Sequence, residues 1–232
     1  MSDLAISDLR NWTITHVIRM VLVRALVVFL AAWSFHYWQA WVFVGLTAVA
    51  EGLTHGYLLR QDPALLDRRI GRELRSRKEE RDPQKAVQNV AQALMLVTIV
   101  LAAQDHRHGW STVPASVCVL GFVLVAAAQA MVFLVFKTNT YAASTVQVVD
   151  DQTVVSSGPY AFVRHPMYSA LVVQLIGLPL GLGSLWAVLP GMVMTIVLAA
   201  RLLDEEKFLA TNLAGYTEYQ SRVRHRLVPL VW

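Results

Sequence analysis

The chain of 232 residues is too apolar for a soluble domain, since 56% of its residues are hydrophobic, 16% are charged and its mean hydropathy is +0.47. A soluble fold of this size could not bury so much apolar surface, so we predict an all-α, polytopic transmembrane protein. The net charge of +4 is modest, and the single cysteine, Cys118, excludes disulfides and cysteine-rich metal sites. We expect no metal and no nucleic-acid partner.

Six apolar segments follow one another along the chain. A spanning helix needs about 20 apolar residues, which the second and fourth segments supply comfortably. The last two are joined by a tight turn at 181–184 and predict a C-terminal helical hairpin. Its first arm contains Pro179, and the sequence leaves open whether that arm spans the bilayer fully. The segments are 17–37, 39–59, 89–104, 113–136, 167–182 and 184–203.

The distribution of Lys and Arg predicts the orientation of these segments. The two terminal regions and the connections at 60–88 and 137–167 hold eighteen of the twenty, whereas the connections on the other side hold one. Positive residues concentrate on the cytoplasmic side of a membrane. We therefore predict that both termini lie in the cytoplasm.

The charged segment 60–88 predicts an amphipathic helix on the inner leaflet. Asp62 followed by Pro63 is a typical N-cap and first helical residue. One apolar face then recurs at a spacing of four residues. A solvated, charged linker is the alternative. The residues of that face are Leu66, Ile70 and Leu74.

Residues 144–157 are rich in β-branched side chains that partly alternate with polar ones around Asp150 and Asp151. This pattern predicts a short cytoplasmic β-hairpin.

Two opposite charges lie inside the first two apolar segments. Arg24 and Glu51 are each roughly 10–12 Å from the cytoplasmic end of their helix, so antiparallel neighbours would bring them to the same depth. Ionisable groups at such depth are usually paired or functional. We predict a structural ion pair, and a role in binding a polar group of the substrate is the alternative.

The segment 158–168, with the sequence GPYAFVRHPMY, combines a turn with a helix start. Pro166 opens the fifth apolar helix, whose first backbone N–H groups have no partner within the helix. Arg164 and His165 stand directly before it, so a carboxylate or phosphate would meet several donors there. Alternatively, Arg164 contacts lipid headgroups and His165 caps the helix.

A second polar cluster closes the sixth apolar segment. Arg201 and Glu205 are four residues apart and share a helix face. Asp204, Glu205 and Glu206 concentrate negative charge that could bind a cation, an ammonium or ribose hydroxyls, or could be a solvated helix end. The basic tail, which ends in Trp232, is typical of an interfacial anchor.

These motifs resemble the isoprenylcysteine carboxyl methyltransferase family, in its broad bacterial branch. The matching pieces are the segment 158–168, EEKFL at 205–209 and GYTEYQSRVRHRLVP at 215–229, with the hairpin 167–203 between them. The resemblance implies a membrane enzyme that uses S-adenosylmethionine in a cytoplasm-facing pocket and takes a lipophilic acceptor from the bilayer. Residues 1–136 would then be transmembrane helices with the segment 60–88, and residues 137–232 the catalytic region.

The resemblance also implies roles for individual residues. Tyr160, His165, Pro166, Tyr168 and Glu205 would bind the cofactor, and Glu206 would help to complete the pocket. The candidates for catalysis are Arg164, His165, Arg201 and Glu205, with Arg201 orienting the acceptor.

The acceptor itself stays open, because a carboxylate, hydroxyl or amine on an isoprenoid or lipid would suit an apolar pocket open to the membrane. A membrane sterol reductase that uses NADPH is the alternative enzyme class, although Glu205 and Glu206 would repel its 2′-phosphate. A non-catalytic lipid-binding scaffold or a transporter is a further alternative, but the sequence has no internal repeat.

Overall fold

The computed structural model describes residues 3–70, 82–142, 152–229 and 232. Within these ranges the regular elements are eight α-helices and one short 3-10 helix, without a strand, which confirms the all-α prediction. Each of the six predicted apolar segments overlaps a helix of the structure, although the ends differ by up to about 14 residues. The α-helices are α1 Asp3–Ala32, α2 Trp38–Gln61, α3 Pro63–Ile70, α4 Asp82–His108, α5 Ala115–Thr138, α6 Pro166–Gly181, α7 Val188–Asn212 and α8 Tyr216–Arg222, and the 3-10 helix is Gly158–Ala161.

Three helices of the described residues are long and apolar enough to cross a bilayer, namely α1 over Ser7–Ala32, α2 and α5. Helix α6 is apolar but has only 16 residues, or about 24 Å against a hydrocarbon core of about 30 Å. Large apolar side chains such as Leu22, Leu26 and Leu53 lie exposed on the spanning helices. Lipid is the solvent that such surfaces require, so the chain is an integral membrane protein.

Helices α5 and α6 approach so closely that their backbones touch. A Cβ atom on Gly121 would lie 2.3 Å from the backbone nitrogen of Gly181 and 2.7 Å from the carbonyl oxygen of Gly177. Glycines spaced four apart permit this contact between apolar helices. The contact fixes the C-terminal part of α6 against α5.

A buried carboxylate joins the connections at the opposite end of the bundle from α3 and α8. Asp105 is 1% exposed and accepts hydrogen bonds from the Ser111 backbone at 2.6 Å, the Ser111 hydroxyl at 2.7 Å and the Ser184 hydroxyl at 2.5 Å. Nearby, the Tyr37 hydroxyl donates to the Leu182 carbonyl at 2.6 Å. The loops after α1, α4 and α6 are therefore held together by side chains that the sequence did not single out.

Helix α3 begins as predicted, but Leu66 of its predicted apolar face packs against the bundle and not on a leaflet. The Asp62 carboxylate accepts the Leu65 backbone N–H at 2.9 Å, and Pro63 is the first helical residue. Leu66 is 0% exposed and packs with Leu9 and Val135 of the neighbouring helices. The inner-leaflet prediction is therefore wrong for Leu66, because the bundle itself covers that side chain. Leu74 lies outside the described residues.

The predicted β-hairpin is also wrong where it can be compared with the structure. Residues 152–157 form no strand, and residues 144–151 lie outside the described ranges. Instead of pairing, residues 152–155 line a cavity together with the helix ends. The β-branched pattern reflects a connection packed against the bundle, since Val154 contacts the cluster of Leu213, Tyr216 and Tyr219.

Candidate active site

The start of α6 and the end of α7 meet at one buried carboxylate. Glu206 of α7 is 5% exposed. Its Oε1 atom accepts a hydrogen bond from Arg164 Nε at 2.7 Å and lies 3.2 Å from His165 Nε2, and its Oε2 atom accepts from Arg226 Nε at 2.9 Å. The sequence predicted that Arg164, His165 and Glu206 lie close together, and the structure brings them into direct contact.

The basic tail completes this cluster through its backbone. Arg164 Nη1 donates to the carbonyl oxygens of Val223 at 2.8 Å and Arg224 at 2.9 Å. The backbone N–H groups of Arg164 and His165 donate to the carbonyls of His225 and Arg226, at 2.9 and 3.0 Å. The tail therefore packs across the start of α6, and the Nε and Nη1 atoms of Arg164 are already engaged by the protein.

The electrostatics of the cluster favour an ionised Glu206. Burial acts to raise the pKa of this carboxyl, but the hydrogen bonds from His165, Arg164 and Arg226 outweigh it and lower the pKa to about 2. Three donors around one carboxylate leave little capacity for a ligand. Glu206 is also not among the residues that line the cavity beside it, so its contacts indicate a structural role.

A cavity of about 620 Å³ lies next to this cluster. Glu205 reaches its wall, and the Tyr168 hydroxyl donates to Glu205 Oε2 at 2.7 Å. Neighbouring residues on one helix point about 100° apart, which explains why Glu205 faces the cavity and Glu206 faces the bundle. The other predicted residues in the wall are Tyr160, Arg164, His165, Pro166 and Arg201.

Tyrosines of the 3-10 helix and of α8 form a further part of the wall. The Tyr219 hydroxyl donates to the Tyr160 carbonyl at 2.7 Å, and the Tyr160 hydroxyl accepts from Asn139 Nδ2 at 2.9 Å. Burial raises the pKa of Tyr160 to about 12, the Asn139 hydrogen bond opposes that shift and Glu205 adds to it. Tyr160 therefore stays protonated at neutral pH.

The Tyr216 hydroxyl has no hydrogen-bond partner among the residues that the structure describes, although its side chain lines the cavity and the residue is 4% exposed. A buried hydroxyl without a partner costs about 1–3 kcal/mol. Burial, and then Glu206 and Glu205, raise its pKa, so the group is a protonated hydroxyl in a residue of the cavity wall.

Each of the six helices α1, α2, α4, α5, α6 and α7 contributes at least one polar side chain to the same cavity. The Arg24 and Glu51 side chains form an ion pair at 2.5 Å, which confirms the predicted contact. Gln129 Nε2 of α5 lies 3.5 Å from Gln174 Oε1 of α6. Single glutamines within apolar segments give no sequence signal, so the three glutamines of this set were not predicted, whereas its charged members were. Its members are Arg24, Glu51, Gln92, Gln129, Gln174 and Arg201.

Together these features define an integral membrane protein whose helix ends enclose a polar cavity lined by tyrosines and an acid. The comparison with protein families identifies the class further, because residues 116–214 match the family model described as phospholipid methyltransferase. The matched region includes α5, the segment 158–168, α6 and the acidic end of α7. A comparison with curated proteins finds no match.

The family match assigns the chemistry. The protein is an S-adenosylmethionine-dependent membrane methyltransferase that acts on a lipid acceptor. The phospholipid methyltransferase family is related to the isoprenylcysteine carboxyl methyltransferases that the motifs resemble, so the resemblance is confirmed at this broader level.

The residues of the cavity fit this cofactor. S-adenosylmethionine carries a carboxylate together with cationic groups and hydroxyls. Glu205 offers a carboxylate to the cationic groups, and the unpartnered Tyr216 hydroxyl offers a donor. The N–H groups of Met167 and Tyr168 lie in the first turn of α6, where a helix leaves its N–H groups to ligands. The cavity volume lies within the range of about 300–1,000 Å³ that is usual for small-molecule sites.

Proposed function

We propose that the protein transfers the methyl group of S-adenosylmethionine to the headgroup amine of a phospholipid. One observation carries this choice: the cavity extends from Tyr168 and Glu205, within the family match, to Arg24 and Glu51 inside the two membrane helices α1 and α2. A lipid is the class of substrate that can present a charged group at that depth while its hydrocarbon stays in the bilayer. Lipid carboxylates and hydroxyls are the other acceptors to be tested.

The wall residues have separate roles in this proposal. When bound, S-adenosylmethionine supplies a methyl group on a sulfonium that is already activated for in-line displacement. Glu205 and Tyr168 hold the cofactor, with His165 and Tyr160 beside them, and Arg201 orients the acceptor. The N–C bond forms as the C–S bond breaks. An ammonium acceptor must lose one proton, and the carboxylates that the cavity wall offers for it are Glu51 and Glu205.

Positioning and the exclusion of water do most of the remaining work, and good alignment of two reactants can contribute roughly 7–11 kcal/mol to a reaction barrier. Glu206, Arg164 and the tail supply that alignment indirectly, since they fix the start of α6 against the end of α7. Arg164 is therefore proposed here as a positioning residue.

We further propose the predicted organisation and orientation for this activity. Residues 1–136 form the membrane helices that receive the acceptor, and residues 137–232 form the catalytic region. Both termini and the site lie on the cytoplasmic side of a bacterial inner membrane. S-adenosylmethionine is made in the cytoplasm, so the site has access to it. The eighteen-to-one distribution of Lys and Arg supports this orientation.

A reductase that uses NADPH is the second function considered. Glu205 in the cavity wall disfavours it, because a carboxylate repels the 2′-phosphate of that cofactor. The family match to methyltransferases supports the same choice.

Thermal unfolding of the protein purified in lipid nanodiscs tests the cofactor site. A ligand that binds only the folded state at a hundredfold over its dissociation constant stabilises it by about 2.7 kcal/mol. S-adenosylmethionine and S-adenosylhomocysteine should raise the melting temperature, and NADPH should not. Glu205→Gln should abolish the increase, and Asp204→Asn, one residue earlier and exposed outside the wall, should retain it. An increase with NADPH alone would refute the proposal.

Methyl transfer to lipids tests the acceptor. Labelled S-adenosylmethionine should transfer its methyl group to phosphatidylethanolamine, and not to phosphatidylglycerol, a fatty acid or a prenylcysteine in nanodiscs of otherwise equal composition. Transfer to the fatty acid or the prenylcysteine alone would replace the amine with a carboxylate as the acceptor.

A further inference from the structure

The ion pair of α1 and α2 is not sealed within the bundle. Arg24 and Glu51 have side-chain exposures of 24% and 21%, and both border the cavity that also contains Glu205. An ion pair that served stability alone would be expected to be enclosed or neutralised, because charge inside a membrane is costly. These two residues also lie outside the region 116–214 that matches the methyltransferase family.

The chemistry of the pair defines the ligand that it can bind. Two opposite charges side by side complement a ligand whose charges lie in the reverse order. A phosphodiester next to an ammonium has this arrangement. The ammonium also stays positive after each methyl group is added, so a carboxylate can attract it before and after transfer without requiring a particular N–H.

We propose that Arg24 and Glu51 form the headgroup site of the lipid acceptor, with Arg24 facing the phosphodiester and Glu51 facing the ammonium of a zwitterionic phospholipid. The proposal rests on the proposed methyltransferase function. It replaces a purely structural interpretation of the pair with a role in substrate selection.

The hydrocarbon of the same lipid has a place beside this site. A groove of about 1150 Å³ lies between α2 and α5, and its wall is almost entirely apolar. It runs along α2 from Val42 to Gln61, a length of roughly 28 Å, which is close to the thickness of the hydrocarbon core of about 30 Å. Gln129 borders both the groove and the cavity, so the two spaces adjoin at that side chain.

The sequence of α2 places both spaces along one stretch of helix. Glu51 borders the cavity, whereas its neighbours Ala50 and Gly52 border the groove. A Cβ atom on Gly52 or Gly56 would have no atom within 4 Å, so the groove has free space along these glycines. One phospholipid can therefore bind with its headgroup at Glu51 and an acyl chain in the groove. We propose that this acyl chain is what occupies the groove.

Reversal of the ion pair separates a binding role from a structural one. Arg24→Glu combined with Glu51→Arg keeps an ion pair and the net charge but reverses the order of the charges. We expect the doubly substituted protein to keep its melting temperature and its stabilisation by S-adenosylmethionine. Its KM for phosphatidylethanolamine should rise at least about tenfold, equivalent to about 1.4 kcal/mol. An unchanged KM would show that the pair is structural.

A neutral variant provides the same test if the protein with the reversed ion pair does not fold. Arg24→Gln with Glu51→Gln leaves two amides that can hydrogen-bond to each other, and it should show the same increase in KM. Arg19→Gln removes one charge from an exposed position of α1 outside the cavity and should leave KM unchanged. If Arg19→Gln raises KM as much as the double substitution of Arg24 and Glu51, the effect is not specific to the proposed headgroup site.

Filling the groove tests the acyl-chain part. Ala130 borders the groove, and Ala127 is equally exposed on the same helix but outside it. Ala130→Leu should lower turnover of long-chain phosphatidylethanolamine more than that of a short-chain form, and Ala127→Leu should change neither. A photoreactive group in the acyl chain should crosslink to residues 45–61 of the wild-type protein, and less so in Ala130→Leu. Equal crosslinking in the wild-type protein, Ala130→Leu and Ala127→Leu would refute the proposal that the acyl chain binds in the groove.

Failure of this inference is distinguishable from failure of the proposed function. If the wild-type protein binds S-adenosylmethionine but methylates no phospholipid, the proposed function fails. The headgroup site is then tested by glycerophosphoethanolamine, which should stabilise the wild-type protein and not the charge-reversed one. If phosphatidylethanolamine is methylated with equal KM by both proteins, the function stands and the headgroup site fails.

Discussion

The carboxylate of Glu206 should be the most sensitive single group for the stability of the site. Glu206→Gln removes a charge that three side chains bind and leaves the buried Arg164 without its anion. A carboxyl whose pKa falls from 4.5 in the unfolded chain to about 2 in the folded one contributes about 3 kcal/mol at neutral pH. Breaking a buried ion pair costs about 3–5 kcal/mol, which is the same magnitude.

Thermal unfolding in nanodiscs measures this loss. For a chain of this length, 1 kcal/mol corresponds to about 2–4 °C, so Glu206→Gln should lower the melting temperature by roughly 6–12 °C. Glu218→Gln is the matched control, because Glu218 is exposed on α8. A melting temperature of Glu206→Gln within about 2 °C of that control would refute the reasoning.

The pH dependence of the wild-type protein supplies an independent check. Because folding lowers the pKa of Glu206, the folded state binds fewer protons, and its contribution is fully present above the unfolded pKa of 4.5. The contribution is lost as pH falls from 4.5 through about 2. The difference in melting temperature between the wild-type protein and Glu206→Gln should therefore shrink over that window and stay constant from pH 5 to 7.

Three further experiments test other parts of the structure. Tyr216→Phe removes a buried hydroxyl that has no partner among the described residues, so it should raise the unliganded melting temperature slightly while weakening S-adenosylmethionine binding about fivefold in calorimetry, for one hydrogen bond of about 1 kcal/mol. Asp105→Asn weakens bonds to a charged acceptor worth about 1.5–3 kcal/mol each, so it should lower the melting temperature without changing cofactor affinity. In a Cys118→Ala background, a cysteine at Thr112 should be labelled from outside intact cells and one at Thr217 only after permeabilisation; the reverse pattern would overturn the orientation.

Much of the fold was predictable because the bilayer imposes strong constraints on composition and length. The apolar segments gave the helices, and Asp62 followed by Pro63 gave the start of α3. The face of Leu66 could not be predicted, since a leucine on an amphipathic helix can meet either lipid or a neighbouring helix. The neighbours of Leu66 come from distant parts of the chain, namely α1 and α5.

The position of the candidate site was predictable from the sequence, but which of its residues line the cavity was not. The motif identified Tyr168 and Glu205, which the structure joins at 2.7 Å. It placed Glu206 in the same pocket as Glu205, because adjacent acids differ only in the direction that the packed helix gives them. Tyr216 and Tyr219 belong to a tail whose composition suggested an interfacial anchor, and their place in the cavity wall depends on how α8 packs.

The position of Gln129 shows how the two halves of the chain combine in the proposed reaction. Gln129 lies in the region that matches the methyltransferase family, yet it borders both the cavity with Arg24 and Glu51 and the groove along α2. The groups proposed to hold the cofactor come from α6, α7 and α8, whereas the groups proposed to select the headgroup come from α1 and α2. Substitutions in α1 and α2 should therefore change which lipid is methylated while leaving cofactor binding intact, because the two sets of contacts share a cavity but not a helix.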